Sequence, residues 1–257
     1  MIAKRGLSSD DARKVRQQWH DDALEFAVLI WMESDYRNNQ KAKKDVIDPS
    51  WDAHSLKSGH VKWQIFLYWM GRFRNDEQFA VMNWMGQLLI DCIDAFPIEF
   101  NEYIQNKAEA KEKCRIPMRN LAEKLQAPAR VRGFLHKSMF NWWEVDYLTI
   151  KHQWNFHVFS QKDVLDAMQQ NFTVANSQAR SAWQFPEQKV LFKYNGTNIW
   201  EIEMRNDSEV HYREIRFNMQ KPRFMRLLFA NFHDPIEMMS KVLVYGEAKK
   251  RFWRWKR

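Results

Sequence analysis

Residues 189–219 read KVLFKYNGTNIWEIEMRNDSEVHYREIRFNM. The pattern predicts three short antiparallel strands. Side chains alternate along a strand, so Glu201, Glu203 and Arg205 share one face, while Trp200, Ile202 and Met204 take the other. With a turn at Asn206–Glu209, Arg205 faces Val210, Glu203 faces Tyr212 and Glu201 faces Glu214. Like charges directly opposite are unfavourable, so Arg216 or a metal ion is expected to relieve them. Glu203→Gln is then expected to leave stability level or raised. Alternate strand residues lie about 7 Å apart, close enough for two carboxylates to share one ion. Mg²⁺ uses one or two carboxylates with phosphate oxygens and water, and water activated by a metal attacks phosphodiesters. On this reading Glu201, Glu203 and Arg205 are catalytic, and Glu201, Glu203 and Asp146 (or Glu144) hold Mg²⁺. A solvated sheet face with Glu–Arg pairs produces the same pattern.

The Glu203-Met204-Arg205 tripeptide, with Glu201 two residues earlier, is similar to the acidic strand of the PD-(D/E)xK nucleases, which include many restriction endonucleases. In that family an acidic residue and a lysine flank one residue on a strand, and another Asp lies on a preceding strand. The resemblance covers about thirty residues by spacing along a strand meander. It implies metal-dependent cleavage of DNA. The chain departs from the pattern in two ways. Arg205 stands where a lysine would orient or deprotonate water, and no Pro-Asp precedes it at usable distance.

Upstream, RIPMRNLAEKLQ begins with Pro117 near a first helical position and ends at Ala127-Pro128. ARVRGFLHKSM is a second helix, and NWWEVDYLTI and WNFHVFS are strand-like. Helix, tight turn, helix and hairpin is the order of a winged helix-turn-helix, here over 115–159. That reading turns Arg130, Arg132 and Lys137 toward DNA. An ordinary helical hairpin with a basic face gives the same pattern. Arg130 and His136 also have a spacing similar to that of HEPN-type ribonucleases, but the strands that follow do not suit an all-helical fold. Lys151 and His152 follow Glu144 and Asp146 on the predicted wing. The other histidines form no HxxxH or HxH pair, and His54 and His60, six apart, lack a usual zinc spacing.

The first third reads as helical. Ser8 or Ser9 caps a first helix, and Val15, Trp19, Ala23, Phe26 and Ile30 recur at helical spacing. Two further helices are expected over about residues 56–74 and 76–95, followed by a charged helix over 99–113. Ser160 and Asp163 form the start of another helix. The 171–188 segment reads as a polar loop. Pro222 opens a helix through Phe232, and Asp234-Pro235 caps one that Gly246 ends. The expected fold is α+β: a helical N-terminal region (1–113), then an α+β region (114–257) holding a winged helix, a small antiparallel sheet (189–219) and C-terminal helices.

Seven scattered glycines write no GxGxxG, GxxxxGK[ST] or GxSxG, which excludes the usual dinucleotide, P-loop and hydrolase-elbow signatures. Two cysteines build neither a disulfide framework nor a four-Cys zinc site. The start lacks a hydrophobic signal core, and the most apolar run, 79–100, is broken by polar residues. A reducing cytoplasm is the expected setting. The formal net charge is +8, and the last nine residues are KKRFWRWKR. Cations beside aromatic rings suit phosphates and bases, so Lys249, Lys250, Arg251 and Arg254 are expected on nucleic acid. A solubilising tail, or one lying on an anionic membrane surface, has the same composition. The expected function is DNA binding with Mg²⁺-dependent endonuclease activity, on duplex DNA and with a homodimer in view. The alternative is a non-enzymatic winged-helix regulator or replication initiator.

Overall fold

A computed structural model describes residues 9–30, 44–59, 62–68, 85–179, 181, 184–206 and 208–252. In chain order the elements are α1 (Ser9–Leu29), β1 (Val46–Ile47), β2 (Ala53–Lys57), β3 (Lys62–Tyr68), α2 (Met85–Asp94), α3 (Phe100–Gln105), α4 (Lys107–Leu125), α5 (Pro128–Phe140), β4 (Tyr147–His152) and β5 (Asn155–Ser160). There follow α6 (Gln161–Asn171), β6 (Thr173–Asn176), β7 (Lys189–Tyr194), β8 (Thr197–Arg205), β9 (Glu214–Gln220), α7 (Lys221–Asn231), β10 (Ile236–Met239), β11 (Val242–Val244) and α8 (Ala248–Phe252). The fold is α+β, in two units. The first comprises Met1–His60, Phe140–Val164 and Phe229–Arg257; the second comprises Val61–Met139 and Leu165–Leu228.

The first unit is a six-stranded mixed sheet ordered β1-β2-β4-β5-β11-β10. β2 runs parallel to β4 and β5 parallel to β11, while β4 and β5 are antiparallel. One face packs on α1. Phe26, Val46, Leu56, Tyr147, Phe156, Val158, Val242 and Val244 share that core. Strand alternation sends Asp45, Ser55, Lys57, His157 and Tyr245 to the other face.

The second unit is a five-stranded antiparallel sheet ordered β3-β9-β8-β7-β6. Its aromatic side holds Trp200 stacked on Phe217 at 4.1 Å, with Phe134 of α5 at 5.0 Å from Phe217. Trp63 meets Phe224 of α7 edge-on at 6.4 Å. Aromatic pairs at such distances add about 0.5–1.5 kcal/mol each beyond their burial.

The expected fold needs correction in several places. The N-terminal third is not all helical: β1, β2 and β3 lie within it, and the sheets are large. The expected helix over 56–74 contains β2 and β3, separated by Gly59 at φ +92°, a backbone conformation outside the helix. Trp63 and Ile65 are buried as alternate residues of β3, so part of a spacing read as 3.6 was period two. Of the expected 76–95 helix, 85–94 is observed, Ala95 is in a turn, and 76–84 lie outside the described residues. Pro117 lies inside the continuous α4, whose buried stripe of Cys114, Met118, Leu121 and Leu125 runs past it.

The winged helix does not form. Its helices and hairpin do occur in order, but β4 and β5 are central strands of the six-stranded sheet, not a projecting wing. The second half of α5 is buried around its circumference, with Phe134, Leu135, Lys137, Ser138, Met139 and Phe140 all buried. That half offers no face to a DNA groove, and Arg130 and Arg132 lie in the less buried first half. The C-terminal helix expected after Asp234 is the β10–β11 hairpin, and β6 lies in the expected 171–188 loop.

Candidate functional site

The acidic strand is β8, and its faces are as alternation requires. Its surroundings are not those of a solvated face. Glu201 and Glu203 are 7% and 8% exposed, and Trp200 and Ile202 opposite are fully buried, so β8 is covered on both sides. The register differs from the expected one because the β8–β9 connection is longer. Glu203 faces Arg216, Arg205 faces Glu214 and Glu201 faces Asn218. The Glu201–Glu214 opposition does not occur. On the other edge Glu203 faces Lys189 of β7.

These residues form a closed ion cluster. Glu203 Oε1 accepts Arg216 Nε at 3.0 Å, Arg216 Nη2 at 2.5 Å and Asn218 Nδ2 at 2.9 Å. Lys189 Nζ pairs with Glu203 Oε2 and lies 3.3 Å from Glu201 Oε2. Burial alone pushes the Glu203 carboxyl up, but Lys189 and then Arg216 outweigh it and hold the group below the usual glutamate value. A cation arriving here would have to displace two cationic side chains. Asp146 belongs to the other unit. There its Oδ2 accepts Ala53 N at 2.9 Å and its Oδ1 lies 3.7 Å from Arg251. Glu144 is exposed in the turn before β4.

The expected nucleic-acid residues are dispersed. Arg132 Nη1 donates to Asp166 Oδ1 at 2.5 Å and to Gln169 at 3.1 Å. Lys137 is 2% exposed, and Arg130 is partly buried near the start of α5. Lys249 donates to the carbonyl of Asp234. Lys250 of α8 pairs with Glu247, just before that helix, at 2.7 Å, and Arg251 with Asp52 at 3.3 Å. Arg254 and His60 lie outside the described residues. Lys151, expected on a wing, is held by Asp22 and Glu25 of α1 at 2.6 and 2.5 Å. Cys92 and Cys114 are buried. Burial pushes the Cys114 thiol up to about 12, the opposite of an activated nucleophile.

A different group of reactive side chains converges in the first unit. Asp48-Pro49-Ser50-Trp51-Asp52 is a tight turn, with Asp48 Oδ1 accepting Ser50 N at 2.7 Å and Asp52 N at 3.0 Å. It folds β1 onto β2 in antiparallel register. Just before β1, Asp45 N donates to His54 O at 2.8 Å, and Asp45 Oδ2 accepts Leu56 N at 2.6 Å and Ser55 Oγ at 3.4 Å. Lys57 Nζ donates to Ser55 Oγ at 2.7 Å and to Leu56 O at 3.2 Å, and lies 3.9 Å from Asp45 Oδ2. Burial lowers the pKa of this amine, and Asp45 only partly restores it. The result is an amine fixed beside a carboxylate, with a pKa held below the ordinary lysine value by burial. His54 points to the opposite face, where its ring bridges Thr149 Oγ1 at 2.8 Å and Asp48 Oδ2 at 3.3 Å and stacks on Tyr147 at 4.8 Å. This network fixes the turn from behind.

Lys57 escaped the sequence reading because residues 56–74 were assigned to a helix. The signal is present in the turn DPSWD followed, after Ala53, by HSLK. No family model matches the chain, and neither a curated protein nor a solved structure matches it. No described helix is long and apolar enough to cross a membrane.

Proposed function

We propose that the protein is a phosphodiesterase acting on nucleic acid, most specifically a Mg²⁺-dependent endonuclease of duplex DNA, and that it works from Asp45 and Lys57. The observation that carries this reading is the convergence of the Asp45 carboxylate, just before β1, and the Lys57 amine, at the end of β2, through Ser55. A lysine that loses its proton readily is able to take one from water. The spacing sought on β8 is met more closely here: Ser55 and Lys57 flank one residue of β2, and Asp45 lies just before the paired strand β1. Ser55 stands where the PD-(D/E)xK pattern has an acid, so the likeness is one of geometry around Asp45 and Lys57.

Among the described residues no group of three or more Asp, Glu, His or Cys converges on a metal position. Mg²⁺ fits the donor set if Asp45 supplies a protein oxygen and phosphate and water supply the rest; the ion would screen the phosphate charge. The chain's own residues fix the amine, accept the water's proton and orient it through Ser55. The +8 charge favours a polyanionic substrate. Cutting both strands with one site per chain calls for two copies. Both cysteines are free and buried, which suits a reducing cytoplasm.

The test is nicking of supercoiled plasmid with Mg²⁺ and with EDTA, for the wild type, Asp45→Asn and Lys57→Ala. Metal-dependent nicking by the wild type alone supports the reading. No nicking by the wild type, with binding retained, leaves the second reading: a basic nucleic-acid binder without chemistry, favoured by the charge and the C-terminal KKRFWRWKR.

A further inference from the structure

Resting only on the nucleic-acid part of that reading, we infer that the loops before β2 and β4 form a stacking platform for unpaired bases, with Trp51 as its main ring and Trp143 beside it. The Asp48–Asp52 turn is closed by Trp51 N donating to Asp48 O at 2.8 Å and by Asp48 N donating to Asp52 O at 2.9 Å. Within it Trp51 takes φ +66°, an outlier for a bulky residue. Glycine or asparagine adopts this left-handed backbone with less strain. Burial does not offset the strain, because Trp51 is 83% exposed. Neither backbone preference nor packing accounts for an indole at this position, which points to contact with a ligand. Trp143 is 82% exposed. It follows Asn141 and Trp142, at φ +46° and +61°, in a turn that Gln161 Nε2 holds by the carbonyls of Trp142 and Val145 at 2.5 and 3.0 Å. The two loops are joined at the amino ends of the parallel strands β2 and β4. Asp146 N donates to Ala53 O at 2.8 Å, Ala53 N to Asp146 Oδ2 at 2.9 Å, and the Tyr147 hydroxyl to Asp52 Oδ2 at 3.0 Å.

The charges around the rings select the partner. Arg251 Nη1 lies 3.3 Å from Asp52 and 3.7 Å from Asp146, which ties α8 to both loops, and its side chain stays 60% exposed. Lys250, the preceding residue, is 73% exposed. Cations beside exposed rings suit a strand whose phosphates meet the former and whose bases stack on the latter. The net charge of +8 favours such a polyanion. Asp52 and Asp146 are held by Arg251, and Glu247 by Lys250. Glu144 is exposed beside Trp143. It repels phosphate, so the bases are the part of the strand that this ring takes. The same carboxylates disfavour an anionic membrane surface. In a duplex each base face is covered by its neighbours, and a side chain reaches one only where the strand is single or the base is extruded. The platform therefore adds to the proposed activity a preference for DNA with unpaired bases.

Two strands of equal length and charge test this by fluorescence anisotropy in EDTA: a labelled oligothymidylate, and an abasic strand that keeps the phosphates and lacks the bases. The wild type is expected to prefer the oligothymidylate. Trp51→Gly is expected to bind it about 5-fold to about 140-fold more weakly, the equivalent of one base–aromatic stack, and to bind the abasic strand as the wild type does. Its melting temperature should stay level or rise, because glycine takes the left-handed backbone without strain; a ring with a structural role would lower it. Trp51→Phe should keep most of the affinity, and Trp143→Ala should weaken oligothymidylate binding in the same sense as Trp51→Gly. Should Trp51→Gly not fold, Trp51→Asn takes its place under the same criteria. Unchanged oligothymidylate binding by the variant, or equal loss on both strands, overturns the inference. A loss confined to vesicles of anionic phospholipid assigns the rings to a membrane and also overturns it. A wild type that binds duplex DNA and neither strand overturns this inference alone. One that binds neither duplex nor strand removes the nucleic-acid reading, and this inference with it.

Discussion

Glu203 and Arg216 face each other across β8 and β9, and the carboxylate takes two hydrogen bonds from that one guanidinium while Lys189 pairs with it from the opposite strand. This reverses an expectation drawn from the sequence. With Glu201 opposed to Glu214, loss of a carboxylate would have relieved repulsion. In the observed register Glu203 sits between two cations that repel each other once it is gone.

Glu203→Gln should therefore destabilise the protein. Breaking a buried pair costs about 3–5 kcal/mol. Lys189 and Arg216 side chains are 34% and 26% exposed, so solvent screening reduces the expected loss to about 1–3 kcal/mol. The folded carboxyl titrates below its ordinary value of 4.5. Its contribution is thus present above that value and is lost as pH falls through the lower folded value. Urea unfolding of both proteins should show a gap at pH 7 that narrows as pH drops below 4.5. A variant as stable as the wild type at pH 7 would refute the cluster's role.

Gly246 has φ +50°, and a Cβ built on it would lie 2.4 Å from Asp163 Oδ2. That oxygen accepts Glu247 N at 2.7 Å, so it is anchored and not a free end. Asp163 is itself tied to the α6 cap, its N–H donating to Ser160 Oγ at 3.1 Å. Gly246→Ala should cost about 1–3 kcal/mol by combining left-handed strain with a displaced hydrogen bond. Gly196→Ala has positive φ but nothing within 4 Å, so it should cost less. Comparing the two by thermal unfolding isolates the Asp163 contact.

Lys57→Arg separates charge from proton transfer. An arginine keeps the cation near Asp45 but stays protonated. Plasmid nicking should fall by about 10²–10⁴-fold, with DNA affinity unchanged. Burial lowers the Lys57 pKa from 10.5. The neutral, proton-accepting amine therefore grows in as pH rises through the folded value, and wild-type nicking should rise with it. A pH-independent wild-type rate, or a fully active Lys57→Arg, would remove Lys57 as the base.

What was legible in the sequence was strand alternation. Trp200, Ile202 and Met204 against Glu201, Glu203 and Arg205 is a period-two pattern that any register preserves. Register was not legible, because the chain from Asn206 to Arg213 bridges β8 and β9 with a longer connection than a tight turn, and each added residue moves every partner. Parallel pairing was equally hidden. β2 meets β4 about ninety residues later, and nothing local in HSLK or YLTI marks that contact. Helical and strand periods also coincide over short apolar runs, which is how Lys57 came to be placed at the start of a helix. The candidate site depends on that single assignment.

The C-terminal basic run divides into two parts with different roles. Lys249 and Arg251 are bound to Asp234 and Asp52 within the first unit, so removing them would disturb the fold as well as any nucleic-acid contact. Truncation after Phe252 avoids this and removes Arg254, Lys256 and Arg257 with two tryptophans. Each phosphate contact contributes about 0.9 to the log–log salt slope. If all three cations neutralise phosphates, the slope should flatten by about 2.7. Affinity should fall alike for unrelated DNA sequences, because phosphate contacts carry no base information. Fluorescence anisotropy between 50 and about 200 mM salt, the range over which such contacts lose most affinity, measures both. An unchanged slope with unchanged melting would place DNA contact elsewhere on the chain.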